Sequence, residues 1–337
     1  MEIRRLDAQD RAEFDRFHAI MDAAERFERP LAAMWSLEEA RVMFTDRDPG
    51  ERIDAIVAVD GGELVGAGAA FSNVEDNLHS SFIIPWVEPE LRRRGIGSAV
   101  LAELISLCRN DNRTDLIMET AFPFERQSDH PYRRFAEKHG FVLANREVRR
   151  VLDLPVDGAL LASLVAEAAA HHDGYRIESF DGPIPDGLLP SLCHARNQLG
   201  VDAPTGLMEF EPEQITPEMM RHREEVLRKQ GRTMISTLAI RGADEVVAYN
   251  DLVIPSGDLP NVYQWGTLVV REHRGHRLGL AVKARGLQEL QRRVGPERTR
   301  VQTCNAEQNS YMVGINERLG FRIVEISPSF LLRLPAA

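Results

Sequence analysis

Arg92, Gly95 and Gly97 stand in the stretch LRRRGIGSAVL (91–101) at the spacing R-x-x-G-x-G. Glycine at such places lets the backbone approach a bulky group with no Cβ in the way. A helix that opens there turns its unpaired N–H groups and its positive dipole end to the same spot. The natural occupant is a diphosphate. Arg92, Arg93 and Arg94 add positive charge beside it, and Ile96 and Ser98 complete the turn. A second stretch, HRGHRLGLAVK (273–283), places Arg274 and Gly279 at the matching positions, with Gly275, His276, Arg277, Leu278 and Leu280 around them. A single G-x-G also fits an ordinary turn with a solvated basic patch; two copies in one context argue against that. Neither copy is a dinucleotide fingerprint, since G-x-G-x-x-G is absent, and neither continues into the G-K-[ST] of a P-loop.

The two stretches lie 182 residues apart, and the same offset carries Glu63-Leu64-Val65 onto Glu245-Val246-Val247 and Val87 onto Val269. Gly140-Phe141 maps onto Gly320-Phe321 at an offset of 180. Self-similarity at one long period reads as a duplicated domain. With 337 residues and 43% hydrophobic content, two globular cores are affordable. The reading is two domains, 1–154 and 174–337, joined by a helical connector, 155–173. No apolar run reaches the roughly 18–20 residues of a membrane span, and the N-terminus lacks the apolar stretch of a secretory signal. Cys108, Cys193 and Cys304 are isolated and odd in number, so a reducing cytoplasm is expected. The net charge of −11 disfavours nucleic acid as a partner and suits a cationic small molecule. No His/Cys/Asp cluster has metal-ligand spacing, so no metal is expected.

The elements that must position the loops repeat as well. A strand at 2–6, helices at 9–25 and 36–44, a hairpin of 53–60 and 63–71 around Gly61-Gly62, and a strand at 79–87 lead to the first glycine loop. Ser36 and Glu39 form a capping box. A helix at 96–109, a strand at 115–121, a helix at 130–139 and a strand at 141–154 follow. The order restarts with a strand at 175–180. Helices come near 187–199 and 217–230, and strands at 232–241, 245–254 and 261–270. A helix at 278–293, a strand at 299–304, a helix at 309–319 and a strand at 321–326 close the chain. Each half is a mixed α+β layer, not a doubly wound sheet.

A strand ending at Val87, then R-x-x-G-x-G, then a helix resembles the coenzyme A loop of the GNAT superfamily of N-acetyltransferases. The FAEKHGF segment (135–141) agrees, and NAEQNSYMVGINERLGF (305–321) resembles that superfamily's N-x-x-x-N … G-F segment. The resemblance covers nearly the whole chain and implies two tandem domains, each a mixed central sheet flanked by helices. It implies acetyl-CoA as cofactor. By position, Trp86-Val87 and Leu268-Val269 would present backbone to the pantetheine arm. Arg92 to Ser98, and Arg274 to Leu280, would hold phosphate. Asn305 and Asn309 would lie near the pantetheine or thiol; a helix N-cap and a helix-face amide are the plain alternatives. Arg277 departs from the pattern, standing where the first half has Gly95. Ala136 and Asn316 stand where the family often has a tyrosine, and Ser81 and Tyr263 where it often has a glutamate.

The activity implied is acetyl transfer from acetyl-CoA to a primary amine of a small molecule by direct attack, after a base or water chain removes the ammonium proton. Candidate catalytic residues are Glu119, in a strand among apolar residues, His79 at a strand start, and Tyr263. A surface histidine and a core aromatic are the bland readings of the last two. The competing functions are a catalytically inactive acyl-CoA-binding sensor or scaffold, and a protein-lysine acetyltransferase. A monomer or a homodimer fits a fused pair of domains.

Overall fold

The computed structural model describes all residues except Ala33, Arg47, Asp258, Ala336 and Ala337. The chain runs β1 (Glu2–Arg5), α1 (Arg11–Arg26), α2 (Leu37–Thr45), β2 (Glu51–Asp60), β3 (Glu63–Asn73), β4 (Ser80–Trp86), α3 (Ile96–Asn110), β5 (Asp115–Glu119), β6 (Phe122–Pro123), α4 (Pro131–Lys138) and β7 (Val142–Asp153). It continues through α5 (Gly158–Ala169), β8 (Tyr175–Asp181), α6 (Leu189–Asn197), α7 (Leu199–Asp202), α8 (Pro217–Lys229), β9 (Thr233–Arg241) and β10 (Glu245–Ile254). The last elements are β11 (Asn261–Val269), α9 (Leu278–Gln291), β12 (Arg300–Ala306), α10 (Ser310–Leu319) and β13 (Arg322–Arg333). The Ser36–Glu39 capping box is formed, and Gly61 and Gly62, both at positive φ, close the β2–β3 hairpin.

Two compact units result, and they are not the two contiguous halves of the sequence. One unit holds Met1–Glu147, Thr205–Glu209 and Glu325–Ala337; the other holds Val148–Pro204 and Phe210–Val324. In the first, the strand order is β1-β2-β3-β4-β5-β13, antiparallel except for the parallel β4–β5 pair. In the second, the order is β8-β9-β10-β11-β12-β7, with β11–β12 parallel. The strand that closes each sheet thus comes from the other sequence half.

In the first unit, α1 and α2 bury Phe14, Phe17, Ile20 and Phe44 against one face of the sheet, with Val57, Ala67 and Trp86. Helix α3 buries Val100, Leu101 and Leu104 against the other face, with Ile83, Leu116 and Phe330. The second unit repeats the sandwich: α6 and α8 cover one face through Leu192 and Met220. Helix α9 covers the other, and α5 packs onto it through Leu161 and Leu164. The segment read as a connector is therefore part of a core. Among the described residues, no helix is long and apolar enough to cross a membrane.

Candidate active site

The parallel strands β4 and β5 pair only over Ser80–Phe82 and Asp115–Ile117. Beyond that they splay apart, and Pro85, which has no N–H to give a neighbour, lies on the opened stretch. A cavity of about 520 Å3 occupies the splay. Its walls are Ile84 to Val87 from one strand and Met118 to Thr120 from the other.

The glycine loop closes one end of this cleft. Arg93 (φ 65°) and Gly95 (φ 87°) both adopt the left-handed conformation, and Gly95 is the N-cap of α3. No side chain caps that helix, so its first-turn N–H groups face the cleft end that Gly95, Ile96, Gly97 and Ser98 line. A Cβ on Gly97 would stand 3.5 Å from Val87 and 3.6 Å from Phe135, ordinary contact distances, so an alanine fits there and the position sits snugly between those two side chains at the cleft. Arg93 lines the cleft and Arg94 stands exposed beside it; among the described residues neither has an acidic partner.

Arg92 has a different task from the phosphate contact expected of it. Its Nε donates to Val87 O (3.1 Å) and its Nη2 to Tyr132 Oη (2.7 Å), and its guanidinium lies 4.3 Å from the Phe27 ring centroid. Tyr132 in turn donates its hydroxyl proton to Ala24 O at 2.5 Å. Burial pushes the Tyr132 phenol up to about 12. Arg92 therefore braces the loop against α1 through Tyr132 and is committed within the fold.

Two carboxylates also line the cleft. Glu119 ends β5 and is exposed at the cleft wall rather than sunk among the strand's apolar residues; Ser329 Oγ donates to its Oε1 at 3.2 Å. Glu25 of α1 accepts from Trp86 Nε1 (3.0 Å) and from Arg29 Nη1 (2.8 Å). Arg29 is buried and is held on its other side by Glu325, at 3.0 Å. The carboxylate of Glu25 is thus fixed before any ligand arrives.

The other two catalytic candidates lie elsewhere. His79 Nε2 is 3.1 Å from Glu209 O and His79 does not line the cleft. Tyr263, in the second unit, packs beside Leu227, Met234 and Val253 under the Arg232 guanidinium. Glu25, Thr120, Tyr132, Arg134 and Lys138 line the cleft without having been singled out in the sequence. Only Tyr132 left a signal: it sits one helical turn before Ala136, on the same face of α4.

The second unit keeps the loop's backbone and changes its surroundings. Gly275 (φ 91°) and Arg277 (φ 53°) take the two left-handed positions, so glycine and arginine are exchanged between them relative to Arg93 and Gly95. That explains how Arg277 is accommodated. Its side chain pairs with Glu167, while Arg274 and Arg271 share Asp202 at 2.7 and 2.6 Å. His276 Nδ1 is 3.3 Å from His171 O. Leu278, Gly279 and Leu280 are buried in α9, where a Cβ on Gly279 would stand 3.2 Å from Ile315. Leu268 is buried in β11, and Val269 O accepts from Arg274 Nε at 3.2 Å. Strands β11 and β12 also pair over only three residues, but Gln264 Nε2 bridges the opening to Thr303 Oγ1 at 3.2 Å. Asn309 caps α10 through Met312 N, and Asn305 Oδ1 accepts from Asn316 Nδ2 at 2.5 Å. Among the described residues, no group of three or more His, Cys, Asp or Glu could hold a metal ion.

A splayed parallel pair beside a glycine loop that opens a helix is the architecture of an acyl-CoA-dependent acetyltransferase. Residues 14–141 match the model of the acetyltransferase (GNAT) family. The whole chain has the tandem GNAT fold. It is similar to a tandem GNAT protein from the clavulanic acid biosynthesis pathway, with 24% identity and a TM-score of 0.77 over 100% of this chain and 99% of that one. It is also similar to a GCN5-related N-acetyltransferase from Sphaerobacter thermophilus (14% identity, TM-score 0.65, 100% and 96% covered). A third likeness is to a putative acetyltransferase from Pyrococcus horikoshii (14% identity, TM-score 0.58, 99% and 90% covered). Against curated protein sequences no match is found.

Proposed function

We propose that the protein is an acetyl-CoA-dependent N-acetyltransferase acting on a primary amine of a small molecule, with coenzyme and acceptor meeting in the first unit. The observation that carries this is the cleft itself, which the uncapped N-terminus of α3, the opened edges of β4 and β5, and Glu119 and Glu25 all line. The loop amides of Gly95 to Ser98 suit the diphosphate, and the edge of β4 up to Val87 suits the pantetheine arm. When bound, the coenzyme supplies the acetyl group as a thioester.

The chain's own residues bind, orient and move the proton. Two carboxylates at the acceptor end favour an ammonium over a neutral or anionic group. Glu25, already fixed by Trp86 and Arg29, holds the acceptor. Glu119 takes the ammonium proton, directly or through one water, with Ser329 Oγ steadying Oε1. Tyr132 stays protonated and commits its proton to Ala24 O, so the thiol's proton comes from solvent at the cleft mouth. The arginines of the second unit's loop are held by acidic partners, which supports a structural role for that unit.

Calorimetric titration of acetyl-CoA tests the reading. One site per chain is expected, lost in Gly97→Phe and kept in Arg277→Gln. Loss in Arg277→Gln alone moves the coenzyme to the second unit. No binding to the wild type overturns the reading, and binding with no transfer to any amine offered identifies a sensor.

A further inference from the structure

Strand β10 buries a charge where β3 buries alanine. The offset of 182 carries Ala67 and Ala69 onto Tyr249 and Asp251. The pairing agrees, with Ala67 opposite Trp86 and Tyr249 opposite Leu268. Ala55, opposite Ala69, answers to Ser236, opposite Asp251. In the first unit Ala67 and Ala69 are fully buried in one cluster with Phe14 and Phe17 of α1. In the second, Ser236 Oγ donates to Asp251 Oδ1 at 2.6 Å, and Arg196 Nη2 of α6 stands 2.7 Å from Asp251 Oδ2. The Arg196 guanidinium also lies 5.0 Å from the Tyr249 ring centroid. The fold therefore closes this place without charge, and the second unit puts an ion pair there.

The pair is not closed on itself. Its contact is out of line for a hydrogen bond, and Arg196 Nε, Arg196 Nη2 and Asp251 Oδ2 are buried with no hydrogen-bond partner. Buried polar atoms left in that state are costly, so each calls for an explanation. Tyr249 is also buried, and burial raises its phenol above the ordinary value, so it stays protonated. Its hydroxyl has no partner among the described residues. Half-buried Gly266 adjoins that hydroxyl: a Cβ there would stand 3.0 Å from Tyr249 Oη and 3.1 Å from Leu199 Cδ2. Arg196 keeps 15% of its side chain open to solvent, while its partner Asp251 keeps 1%. Arg196 and Gly266 thus stand at the mouth of a recess, with Asp251 and Ser236 at its floor.

We infer that Arg196, Asp251 and Tyr249 form a binding site for a free α-amino acid. The ligand's carboxylate accepts from Arg196 Nε and from the Tyr249 hydroxyl, and its ammonium donates to Asp251 Oδ2. A zwitterion meets the spare donors and the spare acceptor together and leaves the buried pair neutral. An anion or a cation alone unbalances it. The further charges acting here, Glu213 on Tyr249 and Arg223 on the neighbouring Cys193, are also one of each sign. The site gives the second unit a ligand of its own and does not depend on the coenzyme reading.

The test is thermal melting of the full chain with each of the twenty protein amino acids in turn. At about ten times its dissociation constant, the matching amino acid should raise the midpoint by roughly 3–6 °C. Its N-acetyl and methyl ester forms, each lacking one charge, should give no rise. Tyr249→Phe removes only an unpartnered hydroxyl, so the unliganded midpoint should hold while affinity falls about tenfold. Gly266→Ala should abolish the rise. No shift with any of the twenty, or equal shifts with the N-acetyl or ester forms, overturns the inference. A rise that survives intact in both Tyr249→Phe and Gly266→Ala puts the amino acid elsewhere and overturns it as well.

Discussion

Lys283 and Asn316 occupy in the second unit the places that Leu101 and Ala136 hold in the first. Lys283 is fully buried, donates to Asn316 Oδ1 at 2.7 Å and lies 3.4 Å from Met312 Sδ, with no carboxylate paired to it among the described residues. Burial pulls its pKa down from 10.5 to about 7. Above pH 7 the unfolded chain holds this proton and the folded chain does not, so stability rises with pH. The window closes near pH 9, where the unfolded Cys108 thiol ionises while burial holds the folded one near 11, which acts in the opposite direction. The urea midpoint should therefore rise between pH 7 and 8.5, by the equivalent of about 1–2 kcal/mol. Lys283→Met should flatten that rise, and an unchanged slope in the variant would refute the assignment. Residue-level reading of the sequence named the glycine loop and Glu119, and both line the cleft. It passed over Glu25 because a glutamate on an amphipathic helix carries no mark of what it faces.

Small residues on β3 set how closely α3 can lie on the sheet. A Cβ on Gly68 would stand 2.7 Å from Val100 Cγ1 and one on Gly66 2.6 Å from Ile96 Cγ2, so α3 packs directly on bare backbone. Gly68→Val should lift α3, cost about 1–3 kcal/mol, and weaken acetyl-CoA binding through the displaced loop. A midpoint shift with unchanged coenzyme affinity would show that the loop does not follow the helix. Elements of this kind were legible because period, caps and turns are local: the Ser36 box, the Gly61-Gly62 hairpin and the strand–loop–helix order all stand where the sequence puts them. The strand expected at 321–326 runs on to Arg333. Which sheet a strand joins is not local at all. Alternation in β7 and β13 reads the same whether each strand closes its own half or the other one.

The exchange is nonetheless written in the side chains of those two strands. Strand β13 gives the first unit Phe330, which is fully buried, Ser329 for Glu119, and Glu325 for the buried Arg29. At the same distances from the helix-ending glycine, β7 carries Arg150, Arg149 and Asn145. Placed beside β5, β7 would bury an arginine where Phe330 belongs and leave Arg29 without the carboxylate of Glu325. Breaking a buried pair of that kind costs about 3–5 kcal/mol. In the second unit Arg150 is buried and Arg149 reaches Gln302, so β7 has its partners there. Residues 1–154 alone should therefore fail to fold cooperatively and should aggregate through the uncovered edge of β5. A peptide spanning 322–335 added in trans, or fused through a flexible linker, should restore a cooperative thermal transition and acetyl-CoA binding. The same peptide with Phe330→Arg should restore neither. If 1–154 folds and binds acetyl-CoA unaided, β7 can close its own sheet and the duplication is dispensable to the cleft.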